Sequence, residues 1–384
     1  MYVTHQPNTR LRELSPEHAE VVRATLPAIG AHINEITPLF YKKMFAAHPE
    51  LIADTFNRGN QQQGEQQKAL AASIAVFASM LVDPEAPDPV EMLSRIGHKH
   101  ASLGITPEQY PIVHEHLFAA IVEVLGSAVT PEVAAAWDAV YWLMADVLIE
   151  YEKDLYESAG VAAGDVFRKA KLAAREDLTD TVTVYELVGD DLPAGLPGQY
   201  TSVGVVLDDG ARQLRQYSLV SADKGTWRIV VQRDGEVSSF LRDRLNLGDE
   251  VDVTLPAGEL VLDDGDAPVV LISQGIGSTP MVGMLSAVSP ERHVTVLHAD
   301  ESEATHAQRA QMEALVAKLP NATFEAFYRA DGRRLEVAGR IPEGAQVYLC
   351  GGTNFLQNIR EQLNSEKPGQ VHYELFSPND WLVS

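Results

Sequence analysis

The sequence contains a single cysteine, Cys350, among its 384 residues. A disulfide needs a second thiol, and zinc knuckles and iron–sulfur clusters need several thiolates at each site. The composition therefore excludes an intrachain disulfide, a cysteine-based zinc site and an iron–sulfur cluster.

Basic residues are also few. The chain has 30 Lys and Arg against 54 Asp and Glu, which gives a formal net charge of −24. Nucleic acids and anionic membranes would be repelled by such a surface, so neither is expected as a partner.

Long apolar runs are missing as well. The most apolar stretch, residues 69–82, contains Ser73 and Ser79 and falls short of the ~18 residues that indicate a transmembrane helix. Residues 1–14 lack the basic and then apolar pattern of a signal peptide. We therefore expect a cytoplasmic protein with no obligate membrane association.

Three helix starts in the first part of the chain carry one signal: a capping hydroxyl, then Pro at the first helical position, then an acid. They are Ser15-Pro16-Glu17, Thr106-Pro107-Glu108 and Thr130-Pro131-Glu132. Apolar residues then recur at helical spacing, as in Leu70, Ile74, Phe77 and Leu81. This pattern predicts an all-α domain.

The hydrophobic period changes after residue 162. Residues 181–187, 200–207, 213–220, 227–233 and 249–255 alternate apolar and polar side chains, which predicts an antiparallel β-barrel. The last third alternates short apolar runs with helical stretches, at residues 268–274, 293–298, 323–328, 346–350 and 371–376. That order predicts a doubly wound parallel sheet. The predicted domains are residues 1–155, 156–264 and 265–384.

Two polar residues fall on apolar helix stripes. Gln66 extends the stripe of Leu70 and Ile74, and His100 extends that of Leu93 and Ile96. A histidine on an apolar face is more often a core residue than a metal ligand, so both interpretations of His100 stay open. His98, two residues away, is expected at the surface.

Three motifs follow one another in the second half of the chain. They are Arg215-Gln216-Tyr217-Ser218, Gly275-Ile276-Gly277-Ser278-Thr279-Pro280 and Cys350-Gly351-Gly352. A guanidinium can pair with a pyrophosphate, an aromatic ring can pack on a flavin, and glycines after a strand let backbone approach phosphate. In this order the motifs resemble the ferredoxin-reductase-like flavin and nicotinamide unit.

The first half resembles the globin domain of bacterial flavohemoglobins, so that the resemblance covers essentially the whole chain. The strings that carry it are Phe40-Tyr41-Lys42-Lys43-Met44-Phe45, His48-Pro49-Glu50-Leu51, Phe56-Asn57, Gln66 through Leu70, Lys99-His100 and Pro107-Glu108-Gln109-Tyr110.

The resemblance implies a haem b site with His100 as the proximal iron ligand. Tyr110 and Glu152 match the family's proximal partners, with Glu150 as the alternative carboxylate. The distal and haem-contacting residues implied by the resemblance are Tyr41, Gln66, Phe56, Leu70 and Lys99.

The resemblance also implies FAD and NAD(P) sites. For FAD the matching residues are Tyr200, Arg215, Gln216, Tyr217, Ser218, Val237, Ser238, Glu374 and Phe376. For NAD(P) they are Gly275, Ile276, Gly277, Ser278, Thr279, Pro280, Cys350 and Gly351. The chain departs from the family pattern at Leu196, a position that bears on flavin contacts, and at Ser278 and Gly352, which bear on nicotinamide contacts.

The implied activity is a nitric oxide dioxygenase that passes electrons from NAD(P)H through FAD to haem, with O2 and nitric oxide as substrates and no separate electron-transfer protein. Two alternatives use the same cofactors: an NADH oxidase or haem-linked reductase with another acceptor, and an oxygen or gas sensor. The sequence alone leaves all three open.

An acidic segment follows the second strand of the predicted sheet: His298-Ala299-Asp300-Glu301-Ser302-Glu303. Its carboxylates would accept hydrogen bonds from ribose hydroxyls and repel a 2′-phosphate. No Lys or Arg lies close by in sequence, although Arg329 or Arg333 could reach in. We therefore expect NADH to be preferred over NADPH.

Overall fold

A computed structural model describes residues 13–49, 65–83, 85 and 89–376, with side chains throughout these ranges except at 65–72 and 89–92. The first part of the chain is helical. Its helices are α1 (Pro16–Ala47), α2 (Glu65–Val82), α3 (Pro89–Ser102), α4 (Tyr110–Leu125) and α5 (Pro131–Ser158).

The predicted helix starts are confirmed by their caps. Ser15 Oγ accepts a hydrogen bond from His18 N at 3.1 Å, and Thr130 Oγ1 accepts one from Val133 N at 3.3 Å. Each cap satisfies a backbone N–H that the first turn of a helix leaves without an internal partner. At Thr106 the cap opens a short 3₁₀ turn, Pro107–Gln109, directly before α4.

The core of the helical part is aromatic and aliphatic. Phe40, Phe77 and Met44 are fully or almost fully buried in it. Trp137 of α5 donates its indole N–H to Thr25 Oγ1 of α1 at 2.9 Å, so the polar end of this large side chain has a partner.

Six strands form a closed antiparallel barrel in the order β1-β2-β5-β4-β3-β6. They are β1 (Phe167–Asp177), β2 (Val182–Val188), β3 (Tyr200–Val206), β4 (Arg212–Asp223), β5 (Thr226–Gln232) and β6 (Glu250–Thr254). Trp227, Tyr185 and Leu219 fill the interior. A short helix, α6 (Glu236–Asp243), follows β5.

The sequence did not predict β1. Only Ala170 and Leu172 of this strand are buried, while its charged residues face solvent, so the strand lacks a strong apolar alternation. Its partner β2 has the clear alternation that made it predictable.

The last part is a five-stranded parallel sheet in the order β11-β10-β7-β8-β9. The strands are β7 (Val269–Gln274), β8 (Val294–Asp300), β9 (Ala322–Tyr328), β10 (Gln346–Gly351) and β11 (Gln370–Leu375). Helices α7 (Ser278–Ala287), α8 (Arg309–Val316) and α9 (Thr353–Leu363) lie between them in sequence. Because the strands are parallel, the turns after β7, β8 and β10 meet at one edge.

The chain divides into two compact units. Among the described residues, one unit contains the helical part up to Phe167 together with Asp208–Leu214, and the other contains Arg168–Leu207 and the residues from Arg215 to Phe376. The predicted boundaries after residues 155 and 264 stay predictions. Among the residues described, no helix is long and apolar enough to cross a membrane.

Candidate functional site

His100 lies at the end of α3 in a three-residue cluster with Tyr110 and Glu152. Its Nδ1 is 2.8 Å from Glu152 Oε1 and 3.1 Å from the Tyr110 hydroxyl oxygen. Tyr110 in turn donates its O–H to Glu152 Oε1 at 2.6 Å. Because the Tyr110 O–H already donates to Glu152, the Tyr110 oxygen can only accept a hydrogen bond from His100. All three contacts therefore agree with a proton on His100 Nδ1.

The other ring nitrogen of His100, Nε2, hydrogen-bonds to nothing in the described part of the chain. The Nδ1–H tautomer gives this nitrogen a lone pair, which is the form in which imidazole binds a metal. The His100 side chain retains 31 % exposure, whereas that of Glu152 retains 2 %. The cluster therefore presents a fixed ring whose donor nitrogen is accessible.

The surroundings hold the protons in this arrangement. Burial, together with the Glu152 carboxylate beside it, raises the pKa of Tyr110, so the phenol stays protonated and keeps donating. Tyr141 O–H donates to the Tyr110 backbone carbonyl at 2.7 Å, and Tyr156 O–H donates to the Ile105 carbonyl at 2.6 Å. Neither tyrosine was singled out from the sequence.

The sequence left Glu150 and Glu152 as alternative partners for His100. Glu152 is the residue in contact, and Glu150 is exposed. The other oxygen of Glu152, Oε2, is buried and has no hydrogen-bond partner among the described residues.

Gly97 lets α3 approach α5. A Cβ atom at Gly97 would lie 2.4 Å from Cδ1 of Tyr151, which leaves no room for any side chain. A glycine inside a helix costs stability, so its presence marks a close contact. The sequence contained this signal, but Gly97 was not singled out.

His98 is not the surface residue that the sequence predicted. Its ring lies edge-on against Tyr151 with centroids 5.6 Å apart. Burial lowers the pKa of His98 to about 4, so the ring is neutral near pH 7. The expectation failed because Tyr151 of α5 packs against the His98 ring.

The distal candidates are described only in part. Tyr41 on α1 is 4 % exposed, with the Phe40 and Phe45 rings 4.6 and 5.5 Å from its own. Gln66 and Leu70 belong to α2, but their side chains lie outside the described residues, as does Phe56. Lys99 is exposed.

The Arg215 to Ser218 segment lies in β4 of the barrel. Arg215 and Tyr217 are half-buried, Gln216 is exposed and Ser218 is buried. Burial raises the pKa of Tyr217, against the opposing effect of the Arg215 charge. A cation and a phenol therefore stand on one strand, as the motif predicted.

Tyr200 begins β3 and faces a glycine. A Cβ at Gly258 would lie 2.9 Å from its ring carbon Cε1, and Gly258 has a φ of +108°. The two segments are tied by hydrogen bonds of 2.9 Å in both directions between Tyr200 and Ala257. The Tyr200 ring therefore packs against the backbone of Gly258, which carries no side chain.

The turn before α6 uses its side chains internally. Ser238 Oγ accepts from Asp234 N at 2.7 Å, and Val237 is fully buried in the barrel. Gly235 adopts a φ of +86°. Any anion at this turn would therefore meet backbone N–H groups and not the side chains of the two predicted residues.

The Gly275 and Cys350 motifs, separate in sequence, are brought into contact. A Cβ at Gly277 would lie 2.6 Å from the Cys350 carbonyl oxygen. Ser278 Oγ donates to Gln308 Oε1 at 2.6 Å, and Thr279 Oγ1 donates to the Ile276 carbonyl at 3.0 Å. The hydroxyls of Ser278 and Thr279 are thus occupied within the protein, and Pro280 is buried behind them.

The end of β11 joins the same edge. Glu374 pairs in register with Cys350, and Phe376 N donates to the Gly351 carbonyl at 3.1 Å. Phe376 is 40 % exposed, which is unusual for so large an apolar side chain. An exposed ring and a carboxylate therefore stand beside the Cys350 turn.

A cleft of about 370 Å³ opens beside the Gly275 turn. It is lined by Thr179, Asp180, Thr181, Val182, Gln232, Gly275, Ile276, Ser278, Asp300, Ala304, Thr305 and Ala307. Of the acidic segment, only Asp300 takes part.

The other two carboxylates of that segment are paired with arginines. Glu301 contacts Arg329 at 2.6 Å, and Glu303 contacts Arg309 at 2.5 Å. Arg333 pairs instead with Glu325. Folding therefore neutralises two of the three carboxylates: Glu301 through Arg329, which the sequence left open, and Glu303 through Arg309, which the sequence analysis did not name.

Comparison with known proteins covers both halves of the chain. Residues 39–148 match the globin family model. A flavohemoprotein of Rhizobium meliloti is 37 % identical over 401 aligned residues, covering 95 % of this chain and 99 % of the relative. One of Deinococcus radiodurans is 38 % identical over 396, covering 95 % and 98 %.

Solved structures show the same likeness. The flavohemoglobin of Malassezia yamatoensis, with bound FAD and heme, superposes with a TM-score of 0.89 at 34 % identity, over 95 % of this chain and 100 % of its own. The FAD/NAD-binding domain of the nitric oxide dioxygenase of Vibrio cholerae has a TM-score of 0.51 at 30 % identity. It covers 55 % of this chain and 99 % of its own.

Proposed function

We propose, from the premise that this chain belongs to the flavohemoprotein family, that it is an NAD(P)H-dependent nitric oxide dioxygenase. Family membership makes it an oxidoreductase that combines a globin with a flavin- and nicotinamide-binding reductase. The proposal also specifies the substrates, which are O2 and nitric oxide, and the product, which is nitrate.

The residues present fit the three groups that this activity needs. His100 offers an accessible Nε2 to a haem b iron, Arg215 and Tyr217 offer a cation and a ring to FAD, and the Gly275 turn opens onto a cleft for NADH. When bound, FAD would convert the two electrons of a hydride into single-electron transfers, and haem would supply the redox-active iron for the oxidation of nitric oxide by O2.

The observation that carries the proposal is the His100 cluster. An ionised Glu152 that accepts the Nδ1–H gives the ring more imidazolate character, and so makes Nε2 a stronger donor. A strong proximal donor suits reactions of O2 better than its reversible storage. Tyr110, which donates to the same Glu152 oxygen, keeps the carboxylate aligned with the ring.

Tyr41 is the proposed distal group. Its buried phenol could direct an O–H at a ligand in a region of low dielectric, where one hydrogen bond counts for more than in water. Gln66 is proposed as its partner, and Phe56, Leu70 and Lys99 as residues that contact the haem.

On the reductase side, Tyr200, Arg215, Gln216, Tyr217 and Ser218 are proposed FAD contacts, as are Glu374 and Phe376. For Val237 and Ser238 the proposed contact is their backbone. The turns Gly275 to Pro280 and Cys350 to Gly351 are proposed to hold NAD(P)H, since the two turns touch each other at Gly277. We expect the reaction to take place in the cytoplasm.

The test is turnover of the purified holoprotein with NADH, measured by an O2 electrode and a nitric oxide electrode together. The proposal expects nitric oxide to be consumed with O2 and recovered as nitrate, far faster than NADH is oxidised with O2 alone. Equal NADH oxidation with and without nitric oxide would instead identify an NADH oxidase. Oxygen binding without turnover would identify a sensor.

A further inference from the structure

A group of aromatic rings joins α4 to α5. His114 of α4 stacks on Phe118 with ring centroids 4.3 Å apart, and on Trp142 of α5 at 5.3 Å. Tyr141 stands edge-on to His114 at 4.9 Å and to Trp142 at 5.3 Å. The rings therefore form one continuous contact. Two of them, a phenol and an indole, are the side-chain rings that lose an electron most readily.

The inner end of this aromatic group reaches the His100 cluster. The buried Tyr141 donates its O–H to the Tyr110 backbone carbonyl at 2.7 Å, and the Tyr110 ring stands edge-on to that of His100 at 6.2 Å. Burial raises the pKa of Tyr141, so its phenol keeps its proton and this bond. Oxidisable side chains thus lead from the ring of His100 to Trp142.

The outer end reaches solvent beside a negative charge. Trp142 and His114 are half-buried, and the Asp138 side chain is 49 % exposed. His114 Nε2 lies 2.8 Å or less from this carboxylate, at 2.7 Å from Asp138 Oδ1. A ring that loses an electron becomes a cation, which neighbouring ring faces and a carboxylate both attract. Trp142 is therefore the member of the group best placed to hold a positive charge.

A second tryptophan of the same helix shows what packing alone requires. Trp137 is 4 % exposed and donates its indole N–H to Thr25 Oγ1. This is the usual arrangement of a core tryptophan, with an apolar ring inside and its polar end satisfied. Trp142 differs from it in being partly accessible and in contact with a second oxidisable ring.

We propose that Tyr110, Tyr141 and Trp142 form a one-electron path from the iron that His100 would hold to the protein surface. Along this path Trp142 returns electrons that hydrogen peroxide has removed from the iron site, and so spares the haem from oxidative damage. The path rests on the haem site of the proposed function. His114, with the Asp138 carboxylate, stabilises the charge that Trp142 acquires.

Hydrogen peroxide takes two electrons from the iron site and two protons from solvent, and gives two molecules of water. Trp142 returns one electron through Tyr141 and Tyr110, and its indole proton passes to water. A small phenol at the surface then gives Trp142 a hydrogen atom, and a second round returns the second electron. The formal net charge of −24 repels anionic donors, so the phenol is a neutral one.

The experiment locates the radical. The ferric holoprotein, its haem content checked by the Soret band, is mixed with equimolar hydrogen peroxide and frozen for electron paramagnetic resonance. The radical signal should narrow in protein made with ring-deuterated tryptophan. A nitroso spin trap, followed by proteolysis and mass spectrometry, should place the adduct on Trp142.

Trp142→Phe should lose that adduct. Its signal should respond to ring-deuterated tyrosine instead, because oxidation then stops at Tyr141 or Tyr110, and its Soret band should bleach faster under repeated additions of peroxide. Guaiacol, a neutral phenol, should slow bleaching in the wild type and less so in Trp142→Phe.

The matched control is Trp137→Phe, which removes the other indole of α5 and should keep the adduct on Trp142. An adduct at another residue in the wild type would overturn the path, and this result needs no variant to fold. Equal loss of the adduct in Trp142→Phe and Trp137→Phe, with both folded by circular dichroism, would overturn it as well.

The place of Tyr141 in the path is tested by Tyr141→Phe. This variant keeps a ring that packs against Trp142 but loses the oxidisable phenol and the bond to the Tyr110 carbonyl. The yield of the Trp142 adduct should fall, and a phenol radical on Tyr110 should take its place. An unchanged yield would remove Tyr141 from the path.

Failure of the path and failure of the proposed function are distinguishable. Trp142→Phe should consume nitric oxide as the wild type does. If the wild type turns over nitric oxide but forms no radical at Trp142 with peroxide, the proposed function stands and the path is wrong. If the adduct forms on Trp142 but nitric oxide is not consumed, the path stands and the dioxygenase is wrong. A protein without a Soret band would overturn both.

Discussion

Two histidines in this molecule each contact a hydroxyl group and a carboxylate. They differ in whether one ring nitrogen makes both contacts or each nitrogen makes one. His100 contacts Tyr110 and Glu152 through Nδ1 alone, and Nε2 is left over. His298 contacts Ser273 through Nδ1 and Asp300 through Nε2, and is 0 % exposed. The same three chemical groups thus make a proposed metal ligand in one region and a structural support in the other.

The difference teaches how to separate a candidate metal ligand from a structural histidine. A ring with both nitrogens occupied can only orient its neighbours. A ring anchored on one side keeps a directed lone pair on the other. Sequence spacing does not distinguish the two, because it gives neither the tautomer nor the partners.

The strongest way to break the comparison is to remove each ring. His100→Ala should be purified with little haem but with its flavin, since the two cofactors are proposed to bind different parts of the chain. His298→Leu should keep its haem. The measurement is the Soret band of each variant against its flavin absorbance, and a normal Soret band in His100→Ala would rule out the iron ligand.

Removing the charge from the His100 cluster should have the next largest effect. Glu152→Gln keeps the shape but weakens the acceptor for Nδ1–H, and should lower nitric oxide turnover about 10- to 100-fold, as loss of an outer partner of a metal ligand does. The iron–histidine stretching frequency should fall in resonance Raman spectra. Glu150→Gln, at the exposed neighbour, is the control, and an equal loss there would refute the assignment.

Tyr41→Phe tests the opposite side of the proposed haem. Losing one buried hydrogen bond, worth ~1–3 kcal/mol, should speed O2 dissociation roughly five- to a hundred-fold. Flash photolysis or stopped flow measures the rate. An unchanged rate would mean that Gln66 or water donates instead.

The smallest effect concerns the contact that brings α3 to α5. Gly97→Ala should destabilise the helical unit by ~1–2 kcal/mol, because crowding against Tyr151 exceeds the gain in helix propensity. Gly30→Ala in α1, where a Cβ meets nothing within 4 Å, should instead stabilise by ~0.5–1 kcal/mol. Thermal unfolding followed at 222 nm compares the two, and equal shifts would show that α3 moves aside without cost.

Much of the fold followed from local patterns. The capped starts at Ser15 and Thr130 and the apolar runs of β7, β8 and β10 are local signals, and the structure confirms them. Strand β1 was not predicted, because its outward side chains are charged and few of its inward side chains are apolar, which leaves no clear alternation. Its place in the sheet comes from pairing with β2, which is a tertiary effect.

The candidate site was predictable in its residues and less so in its contacts. Glu152 lies 52 residues from His100 in sequence, and only the resemblance to a family connected it and Tyr110 with His100. What could not be predicted is which partner each polar group takes. Glu303 forms an ion pair with Arg309, Ser278 donates a hydrogen bond to Gln308, and the His98 ring contacts that of Tyr151. Such pairings depend on how helices and loops meet.

The close approach of Gly277 to the Cys350 carbonyl has a consequence for engineering. The two turns are coupled, since a side chain at 277 must displace backbone at 350, at a distance of 2.6 Å. A library that randomises residues 275–280 alone should therefore return glycine at 277 in nearly every active clone. New cofactor chemistry at this edge of the sheet has to be sought by varying both turns together.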